Sequence, residues 1–497
     1  MRTIFIYLYR PLDFIRHKLG IIHGVFVIET SHDTHFDKRK VLLNSTLLEN
    51  NRLEKIKRVI EHQQKHTLPR GEADAHIIAS LKYPWYRHQW LRDSAKGIMN
   101  MLEAADVLSK YGLYERVGIQ NGELESSLGR AINTMWKALY FFEENIKGQE
   151  IRDIRDSRSR LGKNHVLARF DVSEDGSVSL CEPDKGQVNE LRSWIMQYDS
   201  IPLTLLATVR YIKSFGTSDI GYSIDIAKKI LPWLATYMIN YHNTPCADLW
   251  ELYYSREKIN GIEVGSTIDS YTVASIYAGI EKAKELAQLI KVDPPKDIDS
   301  KVVEDFLIKH FIGEIDPSSG KIVCKSKIEY GELMKSVDSS AVEIFRLFKP
   351  GRLIGSEVED NTIKAIEKHL MDNSPLPIRF KFFGAHDHIK DTYFYGGNWY
   401  PNAEEYAMYK LGKGDLARVK EIIDFIEGQI EEDGSIPEQS LIKPASQGND
   451  PEHYFEKNGN QMIRCLWWSE TGYLGLVSMY IDAVLKKETK DEKSDQK

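Results

Sequence analysis

A chain of 497 residues, 42% apolar and 28% charged, has the composition of an ordinary soluble globular protein and the length for more than one core. Its net charge of −7 excludes the general attraction to nucleic acid or anionic membrane that a basic surface gives. Nine tryptophans and 25 tyrosines are many for so polar a chain, and several stand beside charged residues rather than inside apolar runs.

Residues 1–45 have a texture of their own. The stretches 3–9 and 21–29 are rich in β-branched and aromatic residues and are read as two short strands of an N-terminal extension, too short for an independent sandwich. The opening apolar run is soon broken by Arg10, Pro11, Arg16 and Lys18, with no small-residue cleavage site. Neither a signal peptide nor a membrane span is expected, and the compartment is read as cytoplasmic. Cys181, Cys246, Cys324 and Cys465 lie far apart without metal-ligand spacing, which fits a reducing compartment.

From about residue 50 the apolar residues recur at three and four, as in Ile98, Met101, Leu102, Ala105 and Leu108. The pattern predicts roughly twelve helices, near 50–65, 92–110, 124–147, 197–215, 222–242, 267–291, 301–311, 338–348, 361–371, 398–411, 415–431 and 468–486. Turns punctuate them at Asp316-Pro317-Ser318-Ser319-Gly320 and Asp433-Gly434. A helical solenoid would repeat at a fixed period, and no such repeat is seen. The expected fold is therefore all-α, an (α/α)6 toroid over 46–486 with functional residues on the loops at one end. Residues 487–497 read as a charged, disordered tail.

Four segments are unusual for a purely structural protein. Tyr83 to Ser94 runs from an aromatic cluster into Arg92-Asp93 at a helix start, where Arg and Asp can hold sugar hydroxyls and Trp90 and Tyr86 can face a pyranose. Taken alone, the same residues serve equally as a helix N-terminus capped by Asp93 or Ser94. Asp248-Leu249-Trp250-Glu251 sets a carboxyl beside apolar groups that raise its pKa, although a surface Glu next to a core Trp is the blander reading. Asp433-Gly434-Ser435-Ile436-Pro437-Glu438-Gln439 places a carboxylate just after a proline that fixes the backbone, and a lone loop Glu would again be the bland alternative. Asp391 to Tyr400 carries Gly396-Gly397 between aromatics, Trp399 among them, that could wall a pocket. Trp136 and Trp233, at helical spacing, are read as core.

A carbohydrate site accounts for all four. Glycoside hydrolysis needs one protonated and one ionised carboxyl, and sugar binding needs aromatic platforms with polar pairs. No phosphate-binding loop, dinucleotide fingerprint or His/Cys/Asp cluster is evident, so neither cofactor nor metal is expected.

At these residues the chain resembles the glucoamylases of glycoside hydrolase family 15, over about 50–485. Trp90-Leu91-Arg92-Asp93-Ser94 is similar to the family's first motif, with Tyr86 at the place of an active-site tyrosine. Gln197-Tyr198-Asp199, Asp248-Leu249-Trp250-Glu251, Tyr395-Gly396-Gly397-Asn398, Glu438-Gln439 and Trp468-Ser469 follow in the family's order. The resemblance implies an (α/α)6 barrel and an exo-acting, inverting α-glucosidase with Glu251 as general acid and Glu438 as general base. It also implies that Tyr86, Trp90, Arg92, Asp93, Gln197, Asp199, Trp250, Trp399 and Trp468 bind substrate. The two carboxyls of an inverting enzyme stand roughly 6.5–9.5 Å apart.

Three departures matter. Leu252 stands where starch-type members carry a second Glu, which favours short substrates such as trehalose, isomaltose or a maltooligosaccharide. An Arg expected before the Asp-x-Tyr step is replaced by Ala385-His386-Asp387-His388-Ile389-Lys390, leaving Arg379 or Lys390 to substitute. The first 45 residues cannot form the N-terminal β-sandwich of many prokaryotic relatives. Two other readings keep the toroid: a non-catalytic glycan-binding or regulatory relative, like the subunits of phosphorylase kinase, and an enzyme of phosphorolysis or elimination.

Overall fold

The computed structural model describes residues 43–47, 49–70, 74–81, 88–120, 122–146, 166, 168–179, 197–246, 249–250, 258–259, 262–263, 267–296, 298–328, 333–371, 374–384, 398–439, 463 and 465–495. The chain divides into two compact units, Met1–Glu49 with Leu485–Lys497, and Asn50–Val484. In the first, residues 43–47 form one helical turn, and the stretches 3–9 and 21–29 lie outside the described residues.

Twelve helices lie among the described residues from residue 50 onward. They are α1 (Arg52–Gln64), α2 (Leu91–Lys110), α3 (Glu123–Ile146), α4 (Ser200–Phe215), α5 (Gly221–Tyr241) and α6 (Ser270–Leu289). There follow α7 (Ser300–Phe311), α8 (Ala341–Glu343, continued as a π turn over Ile344–Phe348), α9 (Glu357–Leu370), α10 (Tyr400–Gly412), α11 (Leu416–Glu427) and α12 (Trp467–Asp495). The twelve predicted segments all have their helix. The fourth starts three residues later than expected because Ser200 N–H donates to the Gln197 carbonyl in a turn. The eleventh stops at Glu427, and Gly428 follows it.

The even-numbered helices form an inner ring. Helix α4 packs on α2 and α6, and α8 packs on α6 and α10. Helix α12 closes the ring through glycines. A Cβ on Gly97 of α2 would fall 2.1 Å from the Trp467 indole nitrogen, and one on Gly475 would fall 3.0 Å from the Asn100 carbonyl oxygen. On its other side Gly472 faces Glu404 of α10. The odd-numbered helices lie outside, with α3 against α5, α7 against α6 and α11 against α10. Burial follows from this placing. Helix α10 buries every residue from Tyr400 to Tyr409, while α9 buries Glu359, Thr362, Ile363, Ala365, Ile366 and Leu370, the single stripe of an amphipathic helix.

The sequence reading expected strands only before residue 50, yet thirteen short ones occur later among the described residues. All pair antiparallel: β1 (Thr67–Arg70) with β2 (Asp74–Ile77); β3 (Gln89–Trp90), β4 (Arg169–Val172) and β5 (Val178–Ser179) in one sheet; β6 (Lys258–Ile259) with β7 (Ile262–Glu263). Likewise β8 (Thr267–Asp269) pairs with β11 (Ser326–Ile328), β9 (Ile312–Gly313) with β10 (Ile322–Val323), and β12 (Ser336–Asp338) with β13 (Phe380–Phe382). Runs of two to four residues are too short to show an alternating pattern.

These strands set up the site. β3 runs straight into α2, β8 into α6, and β12 by way of Ser339 and Ser340 into α8. Trp399, bridged to Gln439, leads into α10, and Leu466, bridged to Ser80, leads into α12. Apart from α4, which starts from a turn, the inner helices thus follow paired backbone.

Candidate active site

The residues singled out in the sequence gather where the inner helices begin. Arg92 and Asp93 lie in the first turn of α2, whose N-cap position is Trp90, so neither Asp93 nor Ser94 caps it. Arg92 Nε is 3.7 Å from Asp93 Oδ1, and Arg92 Nη1 is 3.6 Å from Asp199 Oδ2 at the start of α4. Burial pushes the Asp199 carboxyl up, against Arg92 and Lys96, which draw it down. Gln197, at the turn into α4, is fully buried, and Trp90 is buried with the Arg169 guanidinium 5.5 Å over its ring.

One turn into α2, Lys96 Nζ donates to Glu343 Oε1 of α8 at 2.5 Å, both side chains being buried. The same ammonium stands 4.3 Å over the Trp468 ring at the start of α12 and 5.2 Å over that of Tyr271. Burial raises the Glu343 carboxyl to about 7, although Lys96 pulls the other way.

Across the ring, Asp338 at the end of β12 accepts from Trp250 Nε1 at 3.0 Å, from Lys325 Nζ at 2.7 Å and from the Ser340 amide at 2.7 Å. Lys325 also reaches Asp269, at 3.7 Å. The Trp250 and Trp399 rings meet edge to face, with centroids 5.5 Å apart. The Arg379 guanidinium lies 4.8 Å from the Trp399 ring and 5.7 Å from that of Trp250. Of the two residues considered as stand-ins for the expected Arg, Arg379 is therefore against the aromatic pair, and Lys390 lies outside the described residues.

Glu438 is held by its main chain. Its N–H donates to the Ile463 carbonyl at 2.9 Å, and its carbonyl accepts from the Tyr400 amide, the first of α10, at 3.2 Å. The turn before it has the geometry that Asp433-Gly434 predicted: Gly434 takes φ 89°, and the Ser435 amide donates to Asp433 Oδ1. A Cβ on Gly434 would fall 2.3 Å from the Arg58 carbonyl oxygen, so this loop sits directly on α1. Glu438 and Asp93 each keep 8% exposure, against 0–3% for Arg92, Lys96, Asp199, Asp338 and Glu343, and so retain a route to solvent.

Glu251, Tyr86, Asp248, Leu252 and 391–397 lie outside the described residues. Trp136 is fully buried, donating to Thr208 at 2.9 Å, and Trp233 is half-buried against Tyr237. Lys96, Glu343, Asp338 and Lys325 were not singled out from sequence. Lys96 had one available signal, lying three and four residues after Asp93 and Arg92 on the same helical face. One expectation is corrected: spacing suggested no His/Cys/Asp cluster, but the fold brings His62, His66 and Glu470 together, their ligating atoms within 4.8 Å of one another. The first two are separated from Glu470 by most of the chain.

No sequence-family model matches the chain, and no curated protein matches it. Solved structures do. A glycosidase in complex with glucose superposes with a TM-score of 0.61 at 17% identity, over 86% of this chain and 98% of that one. The glycoside hydrolase family 15 glucoamylase from Hypocrea jecorina gives 0.55 at 14% identity, over 89% and 73%. The glucoamylase from Saccharomycopsis fibuligera gives 0.53 at 14%, over 92% and 98%. The ring of helices is the (α/α)6 fold of these glycosidases.

Proposed function

We propose that this chain is a glycoside hydrolase, an exo-acting, inverting α-glucosidase of short α-glucosides, with Glu251 as general acid and Glu438 as general base. The observation that carries the reading is the setting of Glu438. Its backbone is fixed at the start of α10, beside Trp399, and the Trp399 ring abuts Trp250, the residue immediately before Glu251 in the chain. Inverting hydrolysis needs two carboxyls, one to protonate the leaving oxygen and one to activate water.

The remaining residues have roles in this reading. Glu438, partly open to solvent, takes a proton from water as it attacks the anomeric carbon, and the C–O bond to the leaving group breaks as Glu251 protonates that oxygen. Asp93, held by Arg92, accepts outer hydroxyls of the terminal sugar. Trp399 and Arg379 together wall the sugar ring, and Asp338 fixes the Trp250 indole through its N–H. Leu252 offers no polar partner to a second sugar, which favours disaccharides and short oligosaccharides over starch. The glucose-bound neighbour supports a sugar substrate.

The test is proton NMR of fresh enzyme with maltose, isomaltose, trehalose and maltotetraose in phosphate-free buffer, read before mutarotation. Early β-glucose is expected, and Glu251→Gln and Glu438→Gln are each expected to lower the rate on the order of 10²–10⁴-fold with the fold intact. Near-normal turnover by either variant would sink the assignment. Binding without turnover across the panel would favour the regulatory relative, and turnover only with added phosphate a phosphorylase.

A further inference from the structure

We propose that His62, His66 and Glu470 form a buried binding site for one divalent transition-metal ion of the zinc class, lying behind the loop that carries Glu438. His62 is in the last turn of α1, and His66 follows its C-cap, so the i, i+4 spacing sets both imidazoles on one side. Glu470 reaches them from the first turn of α12. The side chains of His66 and Glu470 are completely buried and that of His62 is 5% exposed.

The hydrogen bonding argues for a cation. His66 Nδ1 is 2.7 Å from the Ile78 carbonyl oxygen, which can only accept, so this nitrogen carries the proton. Its Nε2 faces Glu470 Oε2, 3.5 Å away, and neither atom makes an aligned hydrogen bond, so an ion between them would serve both. A carbonyl holding one ring nitrogen while the other faces inward is the arrangement that orients a metal-ligating histidine. His62 Nδ1 stands 2.9 Å from Glu470 Oε1, an ion pair whose proton a bound metal would displace. The ligating atoms of all three side chains lie within 4.8 Å of one another.

The donor set selects the ion. Two imidazoles and one carboxylate suit zinc and its neighbours, whereas magnesium and calcium prefer oxygen alone. Two neutral rings and one carboxylate also leave the bound ion with a single net positive charge, a smaller burden in a buried site than the free dication. A second triad, His62, Asp433 and Cys465, shares the first histidine, with His62 Nε2 3.9 Å from Asp433 Oδ2. That triad uses the opposite ring nitrogen and is a separate position from the one proposed. The bound metal would join α1 to α12, and α1 in turn backs the turn at Gly434 before Glu438, so the ion acts as a staple that takes no part in the reaction.

The experiment uses the full chain. It is purified without added metal, assayed for metal by elemental mass spectrometry, stripped with a chelator, and titrated with Zn²⁺, Co²⁺, Mg²⁺ and Ca²⁺. One equivalent of Zn²⁺ or Co²⁺ should bind, with the visible bands of low-coordinate Co²⁺ and a rise in Tm on the order of 5 °C, while Mg²⁺ and Ca²⁺ do nothing. His66→Gln and Glu470→Gln should each weaken Co²⁺ binding by at least tenfold. Absence of a Co²⁺ spectrum and of any Tm response in the natural chain would overturn the proposal, whether or not the variants fold. So would binding of undiminished affinity in both variants. These readouts are independent of hydrolysis, so an inactive protein that binds the metal would refute the catalytic reading alone.

Discussion

Helix α2 of the inner ring buries every residue from Leu91 to Leu102, and Arg92, Asp93, Lys96 and Asn100 are among them. Helix α1 of the outer ring buries Arg52, Ile56, Val59, Ile60, His62 and Gln63 and leaves its Lys57–Glu61 ion pair in solvent, the side chains 41% and 57% exposed. Both are regular helices with three-to-four apolar spacing, but charge has a different meaning in each. In α1 the exposed charges keep a surface wet, and the one at its start, Arg52, is buried against Glu427 of α11 at 2.6 Å. In α2 the charges lie inside the ring, where a charge is tolerated only with a partner. The inner ring therefore gathers partnered charge at one end, where a polar substrate can compete for it, whereas α1 carries both wet and enclosed charge.

The largest effect expected from breaking this contrast comes from the Lys96–Glu343 pair. Lys96→Met leaves the Glu343 carboxyl without its partner in the interior and should cost up to about 3–5 kcal/mol at the alkaline end of the range, near pH 8, measured by urea unfolding. The loss should depend on pH in a fixed direction. Burial already raises Glu343 from 4.5 to about 7, and without Lys96 it goes higher. A carboxyl whose folded pKa lies above its unfolded one contributes stability that is full below about 4.5 and lost as pH rises through the folded value. The penalty of Lys96→Met should accordingly be smallest near pH 5 and grow toward pH 8. A flat penalty would mean that Glu343 is not the group left behind. Replacing both partners, as in Lys96→Met with Glu343→Leu, should recover most of the loss and remove its pH dependence.

This pair also marks the limit of what the sequence discloses. The helices were legible because their apolar spacing is local, and the Arg92-Asp93, Asp199 and Glu438 positions because each lies in a short motif. Lys96 and Glu343 are ordinary residues until the fold joins them across 247 positions. The same holds for His62 and His66, whose spacing of four is common on any helix and becomes suggestive only when Glu470 arrives from α12. The short strands escaped for a different reason. At two to four residues they owe their form to a partner strand rather than to their own pattern, as β3 shows, with Gln89 set against Phe170 and Trp90 against Arg169.

Glycines sharpen the same contrast at a lower energy. In α2, a Cβ on Gly97 meets the indole of Trp467, which is itself fully buried and has nowhere to move. Gly97→Ala should destabilise by about 1–3 kcal/mol, the overpacking penalty exceeding the gain in helix propensity. In outer helix α5, a Cβ on Gly221 has nothing within 4 Å, and Gly221→Ala should be neutral or stabilising by up to about 1 kcal/mol. Thermal unfolding of the two variants side by side decides it. Equal shifts would show that the ring closure between α2 and α12 is looser than these distances imply.

The smallest effect belongs to the outer surface. Lys57 Nζ lies 3.9 Å from Glu61 Oε1 at i, i+4 on α1, with the cation N-terminal to the anion, the weaker order with respect to the helix dipole. Lys57→Ala removes this contact, and alanine is the better helix former, so the two changes nearly cancel. The net change should stay below about 0.5 kcal/mol and shrink further in high salt, since both side chains are hydrated and screened. Urea unfolding at low and high ionic strength would measure it. A loss comparable to that of Lys96→Met would mean that a hydrated pair carries as much stability as an enclosed one, and the contrast between wet and buried charge would not hold.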